Sequence, residues 1–460
     1  MCSLLLCSLL VLVAATSHAG ELRVGAAATV ITPEVGTPLA GYYSLRPAEG
    51  VLDDLFAKAL VFEQDGATAA LVALDLLAFS RTTALAAREA IEKETGIPGA
   101  HVMLSATHQH TGPVLTRDSP RDDLDGASSA PGTEYTRRLP GLIAQAVREA
   151  QAKLAPARAL ATKTRIENLA YNRRFWMEDG TVAWNPPKLE SRIVAPAGPH
   201  DPEVGMLHFT TAGKTPAPLA IYVNYAMHPD TTGGRKISAD YPGVLARALS
   251  LAKGPEMVTL FANGCCGNLN HRNVWWADPQ SSPQETARLG NILAGAVCAA
   301  FPQLGEIETS APRIRHAIVR LASVEISEAD RVEAREELQR TRAGKGKFMA
   351  QVKAFRVLDI DARGGKPWEV EVQVIALGSD VAFVSLPGEI FVELGLAIKA
   401  ASPFKHTYIA ELANGSIGYI PDRKAYAQGN YEPLSARCAA GSGEQLVETA
   451  IRLLRELHPQ

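Results

Sequence analysis

The sequence has little of what would mark a nucleic-acid binder, a membrane protein or a disulfide scaffold. Its 46 lysines and arginines face 49 aspartates and glutamates, for a formal net charge of -3, so no basic footprint waits for a phosphate backbone and nucleic acid is not an expected partner. Past the N-terminus no stretch reaches the roughly 18 apolar residues that a membrane span needs. Cysteine is scarce, 6 in 460 residues, which makes no disulfide framework although one bridge could form. No internal repeat and no low-complexity segment is visible, and nothing fixes an oligomeric state. What remains is an ordinary globular composition, 47% hydrophobic and 21% charged, in a chain long enough for one large α/β domain with insertions or for two to three average domains. A chain of this length buries enough surface to fold without staples.

The N-terminus carries an apolar run from Leu4 to Ala15 and then Ser17-His18-Ala19, a small-x-small cleavage pattern before Gly20. This reads as a secretory signal over residues 1–19, although its first residues lack Lys and Arg, and it makes the protein an exported one, periplasmic or secreted. Removing it takes Cys2 and Cys7 away and leaves Cys265, Cys266, Cys298 and Cys438.

Along the chain, Leu22 to Thr32 reads as a strand, and the runs Ala59 to Phe62 and Thr68 to Leu74 flank Gln64-Asp65-Gly66 as a hairpin would. Thr82 to Thr95 has helical periodicity and ends at Gly96-Ile97-Pro98, and the apolar run before Ser105 follows, so helix leads into strand. Arg117 to Thr133 reads as a mobile loop or lid, and Pro140 to Leu154 as a helix with its proline in the first turn. Arg165 to Phe175, containing Tyr171-Asn172-Arg173-Arg174, reads as a solvated loop edge with anion-binding potential. Two further apolar strands, Ala217 to Met227 and Met257 to Ala262, end in His228-Pro229 and in Asn263-Gly264-Cys265-Cys266-Gly267. Thr286 to Phe301 is an apolar helix, Ser327 to Arg342 a charged, solvated one with an i,i+4 pair of Glu336 and Arg340, and Gln445 to Leu457 a closing helix. Strands are expected at Ile314 to Val324, Val370 to Leu377, Asp380 to Leu386 and Thr407 to Leu412. The fold class is α/β: a single large mixed-sheet domain flanked by helices, with the active site at strand ends, where open α/β sheets bind ligands.

The stretch that organises the rest is Val102 to Pro113. His108 and His110 stand two apart, and in extended backbone such side chains share a face. An imidazole pair at a strand end is a candidate metal or catalytic pair, and equally two surface histidines in a polar loop. His228 and Glu389 lie at two further strand ends, and two histidines with one carboxylate make a hydrolytic zinc shell if they converge. Glu389 after Pro387-Gly388 also reads as a charge in the first turn of a helix. Asp240 is a candidate outer carboxylate behind such ligands.

The ordered set Val24-Gly25-Ala26 through Gly41-Tyr42, Ala106-Thr-His-Gln-His-Thr-Gly-Pro113, Asn172-Arg173, Asn224 to Pro229, Ser238-Ala-Asp240, Pro387-Gly-Glu389, Asn414 to Tyr419 and Tyr431-Glu432 resembles the catalytic domain of the neutral ceramidase family. It spans Leu22 to Glu432, nearly all of the chain beyond the signal. Members are zinc-dependent amidases that split ceramide into sphingosine and a fatty acid. The resemblance implies that His108, His228, Glu389 and the phenol of Tyr419 hold zinc, and that His110, Arg173 and Tyr431 surround the scissile carbonyl. Arg173 has a second reading as a structural ion-pair partner. Zinc would polarise the carbonyl and activate water, with His110 shuttling a proton or bonding the oxyanion beside Tyr431.

Two features depart from the family pattern. The family's serine near the metal corresponds to Asn270 in Gly267-Asn268-Leu269-Asn270-His271, and an amide is no nucleophile. Cys265 and Cys266 precede that position and read as packing. The chain also stops at the Gln445 helix, so residues 20–460 are expected to be catalytic domain with no C-terminal β-sandwich domain. The expected function is therefore zinc-dependent hydrolysis of an amide in an N-acylsphingosine-like lipid. A zinc esterase, lactonase or amidase acting on a non-sphingolipid substrate, or a non-catalytic lipid or glycan binder, is the alternative.

Overall fold

The computed structural model describes residues 20–459 apart from Asp118 and Pro120, so the expected signal segment at 1–19 lies outside the described residues. The strands that matter are β1 (Arg23–Val30), β2 (Phe56–Gln64), β3 (Ala67–Leu74), β4 (Val102–Ala106), β5 (Ala155–Arg165), β6 (Glu203–Thr211), β7 (Pro218–Tyr225) and β8 (Val258–Asn263). They form one mixed sheet in the order β8-β7-β6-β5-β1-β2-β3-β4, with Gly305–Glu306 added alongside β5 as its ninth strand. The β2–β3 hairpin closes through Asp65 and Gly66, both with positive φ (52° and 77°), the two-residue turn whose twist suits a hairpin.

A second sheet, which the sequence reading did not separate from the first, contains β9 (Arg313–Leu321), β10 (Trp368–Leu377), β11 (Val381–Ser385) and β12 (His406–Ala410) in that order. It packs face to face on the large sheet. Leu60, Phe62, Leu207, Phe209 and Tyr222 on one side meet Ile375, Leu377, Phe383 and Tyr408 on the other. Helices α1 (Arg81–Thr95) and α2 (Ala130–Ala152) cover one half of the large sheet's other face, and α3 (Asp240–Lys253) with α4 (Pro283–Ala300) covers the rest. The charged helix α5 (Glu328–Arg342) pairs with α6 (Phe348–Asp361), while α7 (Val392–Ala401) and α8 (Ser442–Leu457) cover the second sheet. The layers are therefore helix, sheet, sheet, helix. Each fully buried Leu or Phe contributes about 1.5–3 kcal/mol, so both faces of the large sheet are held firmly.

One topology occurs three times. An antiparallel hairpin leads through a helix to a strand parallel to the hairpin's second strand: β2-β3-α1-β4, β6-β7-α3-β8 and β10-β11-α7-β12. Each unit leaves two strand ends side by side, and the three pairs meet. Ala106 N donates to Leu412 O, Glu411 N to Asn263 O, and the Asn263 amide to Thr107 O.

Three expectations need correction. The described residues of the Arg117 to Thr133 stretch are tied down, because Arg117 binds both Asp122 and Asp125 and a short helix spans Asp122–Asp125. Helix α2 starts at Ala130, capped by the Ser129 hydroxyl with Pro131 in its first turn; Pro140 lies inside it. The Ser129 cap and Pro131 supply the start signal that was assigned to Pro140. Arg173 and Arg174 are not solvated; both are buried, for the reason given below.

Candidate metal centre

His108 follows the end of β4 by two residues. It adopts φ 74°, the left-handed region that a non-glycine side chain enters only when its surroundings compel it. The HxH pair therefore does not sit on extended backbone, and the shared-face argument does not apply. The convergence is real by another route. The Leu77 carbonyl holds His108 Nδ1 at 2.9 Å, and the His108 and His110 ring centroids are 4.9 Å apart. The backbone of Gly41 lies against the His110 ring so closely that a Cβ there would stand 2.7 Å from it.

His228 sits three residues past β7, its Nδ1 2.9 Å from Cys266 O. Glu389 pairs with Tyr419 in a short parallel bridge beyond β11. Gly267 must be glycine here, since a Cβ would meet Glu389 O at 2.5 Å. The result is that His108 Nε2 and His228 Nε2 lie 3.0 Å apart, and Glu389 Oε2 lies 3.4 and 3.3 Å from them.

A carbonyl faces each Nδ1, so with both rings neutral the Nε2 atoms carry lone pairs that point at one another and at a carboxylate. Such an arrangement is repulsive until a cation occupies its centre. Tetrahedral zinc with bonds of about 2.0–2.1 Å separates its ligand atoms by about 3.3 Å, so the donor set fits that ion. His108, His110 and His228 also offer nitrogens that all lie within 4.8 Å of one another.

The electrostatics keep Glu389 an anion and set the two imidazoles apart: burial would lower His108, but the Glu389 charge raises it above the ordinary imidazole value. Burial would raise the Glu389 carboxyl, but the charge of His108 and the bonds from both histidines hold it well below the carboxylate range. Burial and the nearby Arg173 push His228 down to about 3. His110 is likewise driven well below the usual imidazole value, by burial and then by the charge of His108. Burial lifts the Tyr419 phenol well above its ordinary value, with Arg173 working against that and Glu389 with it.

The other expected residues come to the same place. The Arg173 guanidinium lies 3.4 Å from His228 Nε2 and 5.4 and 5.9 Å from the Tyr419 and Tyr431 ring centres. Tyr419 stacks parallel to His228 at 6.5 Å and stands 5.4 Å from Tyr431. His110 Nδ1 faces Gly41 O at 3.1 Å, while its Nε2 is buried with no partner among the described residues.

Sequence reasoning missed the carboxyls that hold this array. Glu432, fully buried, takes Arg173 on one oxygen at 2.8 Å and Arg174 on the other at 2.7 Å. That pairing draws both arginines inside, and only its long range in sequence hid it. Glu411, also fully buried, accepts from the Cys266 thiol at 2.9 Å and from Ile390 N at 2.7 Å. Burial pushes it up to about 8.

Asp240 is not an outer ligand of the histidines. Its Oδ1 accepts from the Thr231 hydroxyl and its Oδ2 from Thr231 N and from the N–H and hydroxyl of Thr232, which fixes the loop after His228. Asn270 turns its amide to Asn185 at 3.0 Å and its carbonyl to Arg272 N. Cys265 packs in the second sheet's core, as expected; Cys266 does more than pack, since its carbonyl orients His228.

No family model matches the sequence, and no curated protein matches it. Solved structures do match the fold. A neutral ceramidase from Pseudomonas aeruginosa superposes with a TM-score of 0.73 at 20% identity, covering 96% of this chain and 76% of that one. A ceramidase complexed with C2 gives 0.73 at 18% identity with the same coverages. The ordered motifs and the three-dimensional comparison thus agree, and the chain has the neutral ceramidase fold.

Proposed function

We propose that this protein is a zinc-dependent hydrolase of an amide bond, and that its substrate is an N-acylsphingosine-like lipid. The observation that carries the reading is the convergence of two imidazole Nε2 atoms and a carboxylate within 3.0–3.4 Å at the strand ends, in a fold shared with structures named as ceramidases. His108, His228 and Glu389 would hold the ion, with the Tyr419 phenol as fourth donor. Bound there, zinc supplies Lewis-acid polarisation of the carbonyl.

The chain's own residues supply the rest. His110 is neutral at pH 7 and its Nε2 has no partner among the described residues, so it takes the proton that water loses on adding to the carbonyl carbon. It returns that proton to the departing nitrogen as the C–N bond breaks, which leaves a carboxylic acid and an amine. The Tyr431 hydroxyl donates to the oxyanion, and the Arg173 charge stabilises it. Arg173 can do so because Glu432 and Gly267 O pin it in place. Asn270 is no obstacle to this route, because attack by water needs no side-chain nucleophile. The reading includes export through residues 1–19.

Fatty-acid release from a short-chain ceramide by zinc-loaded protein tests this, with His108→Ala as control. Zinc-dependent release that the variant loses is expected. No release from protein that holds zinc would move the substrate to an ester, lactone or other amide.

A further inference from the structure

At one edge of the site a row of rings reaches the surface. Tyr419, beside His228, is 5.4 Å from Tyr431, and Tyr431 is 5.7 Å from Phe348 at the start of α6. Trp184 lies 4.3 Å from Tyr431 and 5.9 Å from Phe348, and Tyr43 lies 5.6 Å from Phe348. Phe348 is 44% exposed and Met349 36%. On the loop that holds Tyr43, Leu45 is 50% exposed and Tyr42 40%. The Gln351 amide ties the two lips together through Tyr43 O at 2.7 Å.

The α5–α6 turn reads Ala343-Gly344-Lys345-Gly346-Lys347-Phe348-Met349, every residue of it exposed. The basic residues around it are neutralised: Arg335, Arg340, Arg342 and Lys353 each meet a carboxylate. Among the described residues Lys345 and Lys347 form no ion pair. Two unpaired cations beside two exposed apolar side chains form an amphiphilic tip on a chain whose net charge is -3.

We infer that this rim docks on an anionic lipid surface, with Lys345 and Lys347 at the headgroups and Phe348 and Met349 inserted below them. The inference rests on the amide-lipid reading of the site and names the surface from which that substrate is drawn. Charge complementarity selects the occupant, since free lysines gain from anionic headgroups while apolar tips gain from the acyl boundary. Continuity does the rest: a lipid leaving the bilayer beside Phe348 slides along Trp184 and Tyr431 to Tyr419. The element is a turn and the first two residues of α6, too short for the helical periodicity that marks amphipathic membrane segments to reveal it.

Co-sedimentation with phosphatidylcholine vesicles, with and without phosphatidylglycerol, tests it. The wild type should bind the anionic vesicles, and Lys345→Glu/Lys347→Glu/Met349→Ser should bind them at least about 30-fold less, at about fivefold per lysine. Hydrolysis of vesicle-embedded ceramide should fall with binding, while turnover of a soluble short-chain ceramide stays within about twofold. Met349→Trp alone should shift its emission to the blue on vesicles. Failure of the wild type to bind anionic vesicles, or equal binding by the triple variant, overturns the inference and leaves the hydrolase reading intact. Rim-dependent binding without turnover of either substrate overturns the hydrolase reading and leaves the surface intact.

Discussion

At the strand ends, Arg174 meets Glu432 at 2.7 Å with both side chains buried; on the helical hairpin of α5 and α6, Arg331 meets Asp361 at the same 2.7 Å with side chains 31% and 45% exposed. The distances are equal and the consequences are not. In water an ion pair is screened and contributes about 0–1 kcal/mol. In the interior, each member is desolvated and depends on its partner, so loss of one leaves a charge that nothing compensates. The strand-end charges are thus held inside at a standing cost in stability, while those on the hairpin keep most of their hydration. Charge density alone does not mark a site; burial with directed partners does.

The largest expected break in this contrast is His228→Ala. Losing a partner of a metal ligand costs about 10–100-fold, and losing the ligand itself should cost more, read as turnover of zinc-loaded protein. Next comes Glu432→Ala, which strands two buried guanidiniums and should destabilise the fold by about 3–5 kcal/mol in urea unfolding. An equal loss from Glu328→Ala, on the exposed hairpin pairs, would erase the distinction.

The buried anchor of the hairpin should behave like the strand ends. Asp359 on α6 binds Arg437 and the Ser119 hydroxyl at 2.8 Å each, with Arg121 at 3.5 Å. Burial would raise its carboxyl, but the two arginines bring it down to about 2 from an ordinary 3.8. A folded-state value below the unfolded one gives stability that is present above pH about 4 and lost as pH falls toward 2. That component is about 2 kcal/mol, and Asp359→Asn should remove it, flattening unfolding free energy against pH in that window. The smallest effect is expected for Glu336→Ala: its pair with Arg340, at 3.6 Å and exposed, should be worth under about 0.5 kcal/mol.

Much of the outline was legible in the sequence. The α1 helix, the hairpin of β2 and β3, the strand runs ahead of His108 and His228, and the charged α5 helix all announce themselves by period and breakers. The two-sheet packing did not, because Ile375, Phe383 and Tyr408 read as a buried run whichever sheet they face. Helix α6 went unseen because its apolar residues follow the Gly-Lys turn without a capping side chain. At the site, the seven expected residues stand near one another, yet His108 gets there through a left-handed turn that no periodicity encodes. Arg173 and Arg174 read as a loop edge because their carboxylate lies over 250 residues away, at Glu432.

The most direct test of the central claim is calorimetric titration of zinc into metal-free protein, run on the wild type and on His108→Ala/His228→Ala. One tight site per chain, lost in the double variant while its far-UV spectrum stays native, is the result expected. Zinc binding that survives the double variant unchanged, or none in the wild type, would contradict a metal centre at the strand ends.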